Sequence, residues 1–120
     1  VALIVPVYVA DDARRARQEP EASTMHFFRT IAEALAKGGT DREERARRLG
    51  QMTYDEILGD LVVYGTPEAV TERLLELQEA LGYSILSVWM NVGGRIPHEK
   101  VLDSMRLFAE RVAPRLSSTA

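Results

Sequence analysis

The chain has 120 residues, 46% of them hydrophobic and 28% charged, the balance of a globular domain rather than a disordered segment. Its 15 basic and 18 acidic side chains leave a formal charge of −3, which removes any electrostatic case for nucleic acid. The absence of cysteine excludes disulfides, thiolate metal sites and a cysteine nucleophile, and fits a reducing, cytoplasmic location.

Val1–Ala10 reads as a strand, apolar on both faces as parallel strands between helices are. It lacks a basic segment before it and runs straight into Asp11-Asp12, which makes it a poor signal peptide. No apolar run approaches the roughly 18 residues of a membrane span. The chain does not open on Met, so Val1 is expected not to be the natural start. Pro6 removes a ladder donor and points to an edge position or a bulge. Asp11 or Asp12 can cap the helix begun by Ala13–Arg17, and Pro20 stops or kinks it.

Between Ser23 and Lys37, residues Met25, Phe28, Ile31, Ala32 and Leu35 recur at helical spacing, and Gly38-Gly39 closes that helix. Asp41–Leu49 is dense in charge, with acidic residues among the arginines. It reads as a solvated helix or a mobile excursion rather than a phosphate site. Thr53 or Asp55 starts a short helix through Leu58, ended by Gly59. Leu61–Tyr64 is then a short strand and Gly65 its turn. Thr66, Pro67 and Glu68 supply a cap, a first-turn proline and a charge that complements the helix dipole. Val70, Leu74, Leu77 and Leu81 form the buried stripe of that helix, and Gly82 terminates it. Ile85–Val92 is the third strand and Gly93-Gly94 turns the chain. Pro97 opens a last helix whose inner face is Val101, Met105, Phe108 and Val112, up to Pro114.

Strands alternating with helices imply an α/β fold with parallel pairing through right-handed crossovers. The 120 residues read as one unit with a helical insert at about residues 20–59, longer than an ordinary crossover. Barrel enzymes place lids and substrate walls in such insertions.

Gly65-Thr66-Pro67-Glu68-Ala69-Val70 with Glu72-Arg73-Leu74 is similar to the segment before the penultimate helix of luciferase-like flavin monooxygenases. The run Met90–Pro97, leading into Val101–Glu110 and closing with Val112–Leu116, resembles the same family's ending. Val5–Ala10, with Ala13 and Ala16 behind it, resembles the strand before that family's variable insert. The likeness covers nearly the whole chain apart from Gly39–Gly59. It implies the C-terminal part of a TIM (β/α)8 barrel, about three β/α units. Such a piece has open edges and an uncovered inner face. Trp89, Val88 and the inward residues of Val1–Val9 are therefore expected to need a partner. That partner is a missing N-terminal barrel part or another copy of the chain, hence a homo-oligomer.

The activity implied by the resemblance is that of a reduced-flavin (FMN) monooxygenase oxidising a small organic substrate with O2, with this segment inactive by itself. Two alternatives stand beside it: a deazaflavin (F420)-dependent oxidoreductase of the same superfamily, and a non-catalytic, self-associating barrel fragment. No nucleic-acid or membrane partner is implied.

Chemistry in a barrel sits at the C-terminal ends of the strands, which selects Ala10-Asp11, Tyr64–Thr66 and Trp89–Gly94. The expected cofactor or substrate-pocket residues are Trp89, Asn91, Gly93, Gly94, His26 and Phe27; no catalytic residue is assigned. Each also has a plainer reading: core packing for Trp89, turn shaping for Asn91 and the glycines, and a surface role for His26. Of Phe27 and Phe28, adjacent on a helix, one is expected in the core and the other at the mouth. His26 and His98 are too few and too separated to suggest a metal site. Thr66 and Gly93-Gly94 stand where many barrels hold phosphate, but Glu68 opposes an anion. The family holds its flavin phosphate on earlier strands, so no phosphate-binding residue is carried over.

Overall fold

A computed structural model describes residues 2–37 and 40–117; the expected helix stop at Gly38-Gly39 lies outside them. Strand β1 (Ala2–Val9) is the centre of a three-stranded parallel sheet, with β2 (Val63–Gly65) on one edge and β3 (Ile85–Trp89) on the other. Val7–Val9 pair with Val63–Gly65, and Ala2–Pro6 pair with Ile85–Trp89.

Pro6 therefore stands in the central strand, not at an edge, and the backbone explains how. Successive amides of a strand point to opposite edges. The Ala10 N–H donates to the Gly65 carbonyl at 3.2 Å. The Val9 N–H points the other way, beyond the end of β3, and donates to Ser104 Oγ at 2.8 Å. On this alternation Pro6 turns its missing donor toward β2. The next rung there would need a Pro6 N–H for the Leu61 carbonyl, so β2 begins at Val63 and not at Leu61. Leu61 instead closes the preceding helix, donating to the Ile57 carbonyl at 2.9 Å.

The strand order β2-β1-β3 also differs from that of a closed barrel, where each strand neighbours the next. The long β1 offers β3 pairing from Ala2 to Pro6, more than the 3-residue β2 has to give.

Helix α1 (Ala13–Gln18) is capped by Asp12, whose carboxylate accepts from the amides of Arg14 and Arg15. Helix α2 (Glu21–Ala36) follows directly, and the charge-dense segment forms one helix, α3 (Thr40–Gln51). A reciprocal capping box between Thr53 and Glu56 starts α4 (Tyr54–Asp60), which runs through Gly59 instead of ending there. Thr66 caps α5 (Pro67–Leu81), and Gly82, at φ +65°, closes it in the left-handed conformation.

Helix α6 (His98–Leu107) passes into a π-helical segment, Phe108–Val112, and then α7 (Ala113–Ser117). Pro114 lies inside this run rather than at its end. A proline ring crowds the carbonyl four residues back, here Glu110, and the wide π turn makes the room. The buried residues are accordingly Val101, Ser104, Leu107 and Val112, the last step being five residues long, and Met105 is 48% exposed. Leu81 is likewise outside the core, beside the stretch of β1 edge that β2 leaves open.

Helices α5 to α7 cover one face of the sheet. Val5, Val7, Val9 and Val63 meet Val70, Leu74, Leu107 and Val112 there, and Val88, partly buried, packs against the same cluster. The opposite face is bare at its lower end: Ile4 is 71%, Ile85 63% and Trp89 45% exposed. The radius of gyration, 15.0 Å, exceeds the roughly 13.6 Å of a compact domain of this length, as an open half-layer would. Among the described residues, no helix is long and apolar enough to cross a membrane.

Candidate functional site

At its upper end the bare face is crossed by the start of α2. Tyr8 and Tyr64 are paired across β1 and β2, their rings edge-on at 6.2 Å. Thr24, fully buried on α2, shares a 2.7 Å hydrogen bond with the Tyr64 hydroxyl. One residue earlier, buried Ser23 donates to the Val92 carbonyl at 2.5 Å and accepts from the Arg95 amide at 3.0 Å. One helical turn on, Phe27 meets Trp89 edge-to-face at 4.9 Å. Helix α2 is thus tied to β2 and to the loop after β3, with an aromatic ledge between.

Phe27 and Trp89, two of the expected pocket residues, are brought together. Phe28, stacked edge-on against Phe27 at 5.1 Å, is buried with Ile57 and Val62. His26 is exposed, about 100° round the helix from Phe27. The paired part of β3 ends at Trp89, so Asn91 lies in the following bend rather than in the strand. Its Oδ1 accepts from the Ile96 amide at 3.3 Å and its carbonyl from the Gly94 amide at 3.1 Å, which makes it a turn former here. Gly93 (φ +87°) and Gly94 (φ +68°) both require left-handed backbone. They differ in surroundings: a β-carbon on Gly93 would collide with Ser23, whereas one on Gly94 would meet nothing.

Tyr64 stands at one of the strand ends selected from the sequence, whereas Ser23, Thr24, Tyr8 and Glu19 were not singled out. Their signal was the position of Tyr8 and Tyr64 near strand ends, and two small polar residues opening an amphipathic helix. Burial pushes the Tyr64 hydroxyl up to about 12, with the Thr24 hydrogen bond opposing. Tyr8 is also raised, by burial first and then by its 2.8 Å hydrogen bond to Glu19. Burial alone would raise the Glu19 carboxyl, but Tyr8, Arg15 and Lys100 outweigh it and hold it below its ordinary value. A polar cavity of about 110 Å³ adjoins this cluster. Its lining charges balance, Arg15, Lys100 and Arg106 against Asp11, Glu19 and Asp103, so it has no surplus for an ionic ligand.

The ledge offers flat apolar surface with no ionised group of its own, which suits the face of a planar ring system rather than proton transfer. No family model matches the chain, and no curated protein matches it. Among solved structures it is similar to the oxygenating constituent of 3,6-diketocamphane monooxygenase from Pseudomonas putida, described as a type II Baeyer–Villiger monooxygenase in complex with FMN. The match has 22% identity and a TM-score of 0.66, covering 94% of this chain and 33% of that one. A likeness at this identity is one of fold: the chain spans about a third of that flavin enzyme's length and shares its mixed α/β arrangement.

Proposed function

We propose that the chain is the C-terminal part of a luciferase-like (β/α)8 barrel, and that its Phe27–Trp89 ledge forms one wall of a flavin and substrate pocket. The observation that carries this reading is the one-sided sheet. Helices α5 to α7 cover one face, while Ile4, Ile85 and Trp89 stand exposed on the other. A barrel strand has helices outside and other strands' side chains inside; in the whole barrel β2 would lie between β1 and β3, in place of the β2-β1-β3 order of this chain by itself. The likeness to an FMN-bound monooxygenase supports a flavin as the ligand and oxidation of a small organic substrate as the activity. Missing strands, or a second copy of the chain, would cover the inner face.

FMN fits what is present in part. The aromatic ledge suits the ring system, and bound flavin would supply the redox chemistry. These residues would position the ring and exclude water from one side. On the family resemblance, the phosphate end would be held mainly by strands outside this chain.

The test is titration of the 120-residue chain with FMN and with a deazaflavin, followed by Trp89 emission and by mass in solution. Quenching by FMN that Phe27→Ala weakens is the expected result. A colourless homo-oligomer that binds neither flavin would leave the non-catalytic fragment as the correct reading.

A further inference from the structure

We propose that the 120-residue chain pairs with a second copy of itself along the free edge of β3, antiparallel about a two-fold axis at Ser87. Strand β3 stands at the outside of the sheet. The odd-numbered amides of β1 are directed at it, so the register of Ile4 with Ser87 turns Ile85, Ser87 and Trp89 toward β1. The amides and carbonyls of Leu86 and Val88 therefore face outward, a row of ladder groups that no strand of this chain takes. What fits such a row is another extended backbone. Nothing on the edge keeps one away: Ser84–Trp89 contains neither charge nor proline.

The strand Ile85-Leu86-Ser87-Val88-Trp89 is also complementary to itself. Laid antiparallel about Ser87, Leu86 of each copy exchanges both hydrogen bonds with Val88 of the other. The two serines then form a close, non-hydrogen-bonded pair, which their small side chains allow. Ile85, 63% exposed, comes to lie opposite Trp89, 45% exposed, and this apolar pair occurs twice. On the helix side, the apolar groove along Leu86, Val88, Phe108 and Leu116 meets its counterpart across the seam. Such a contact closes on two copies. In a whole barrel another strand would take this edge; the second copy takes it where the chain stands by itself.

Sedimentation of the parent chain should give the mass of two chains. Ser87→Asp sets like charges opposite each other and should weaken association at least tenfold. Crosslinking reads the register, since the chain has no cysteine of its own. Ser87→Cys brings two Cα atoms to about 4.5 Å, within disulfide reach, and is expected to give a covalent dimer under mild oxidation. Ile85→Cys, exposed on the same face, lies about 13 Å from its counterpart and should stay uncrosslinked. A parent chain that sediments singly, a folded Ser87→Asp variant that associates within twofold of the parent, or Ile85→Cys crosslinking as readily as Ser87→Cys would overturn the proposal. The two cysteine variants decide the matter should Ser87→Asp not fold. Failure here leaves the flavin reading of the Phe27–Trp89 ledge standing, and the reverse holds.

Discussion

Ser23 and Gly93 are packed so closely that position 93 has no room for a side chain: a β-carbon there would run into the Ser23 carbonyl and lie 2.7 Å from its Oγ. The same hydroxyl clasps the Val92 carbonyl and the Arg95 amide on either side. One serine thereby docks the first turn of α2 onto the loop that follows β3, and the glycine is what lets it approach.

Gly93→Ala is expected to cost about 3 kcal/mol or more, since left-handed strain and a backbone clash add. Gly94→Ala meets only the strain, with open space around its β-carbon, and should cost about 1 kcal/mol. Urea unfolding of the two variants checks this. Equal losses would show that the Ser23 contact contributes nothing.

Trp89 is the chain's single tryptophan, so its emission reports on the ledge alone. Phe27→Ala removes the ring that covers one side of it, and Ser23→Ala loosens the helix that carries that ring. Both should shift Trp89 emission to longer wavelength, Phe27→Ala more strongly. Met105→Ala, exposed on α6, should leave it unmoved. Unchanged emission in the Phe27 variant would mean that the two rings are not in contact in solution.

Tyr64 titrates near 12 in the folded chain against 10.0 when free. Folding thus favours the neutral hydroxyl. Its contribution is complete below pH 10 and is lost as the pH rises toward 12, in all about 2 to 3 kcal/mol. Tyr64→Phe should flatten the alkaline limb of the stability curve. Tyrosinate absorbance followed against unfolding provides the measurement.

Glu19 acts at the other end of the pH scale. Its carboxyl is held below the ordinary 4.5 despite its burial, so the folded state favours the carboxylate. That stability is present above pH 4.5 and is lost as the pH falls through the lower folded value. Glu19→Gln should be less stable at neutral pH and less sensitive to acid. An acid midpoint identical to the parent's would exclude the Tyr8–Glu19–Lys100 cluster as a cause of acid unfolding.

Helix starts and stops were the most legible part of the sequence, because capping is local chemistry. Thr66 with Pro67, Asp12, Thr53 with Glu56, and Gly82 all act at the positions their types suggest. Long-range register was not legible. The start of β2 depends on which way the backbone of Pro6 points, and the exposure of Met105 depends on a π turn set by Pro114 nine residues further on. Within the site, Phe27 and Trp89 could be chosen as large aromatic residues near a strand end. Ser23 and Thr24 could not, since small hydroxyl residues at a helix start are ordinary until the loop they hold is known. Ser104 is a similar case. It reads as a polar interruption of an apolar stripe, yet its Oγ accepts the Val9 amide that β3 leaves unmatched.

The pairing register gives the sheet a sloping upper rim. Trp89 lies level with Pro6, whereas Tyr64 lies level with Tyr8, two residues or about 7 Å higher along the strand direction. The aromatic surface beneath α2 therefore descends from the tyrosine pair on one side to the tryptophan on the other. Only its lower end is open: Tyr8 is buried beneath the helix whereas Trp89 is 45% exposed, so the slope leads from a closed corner out to solvent.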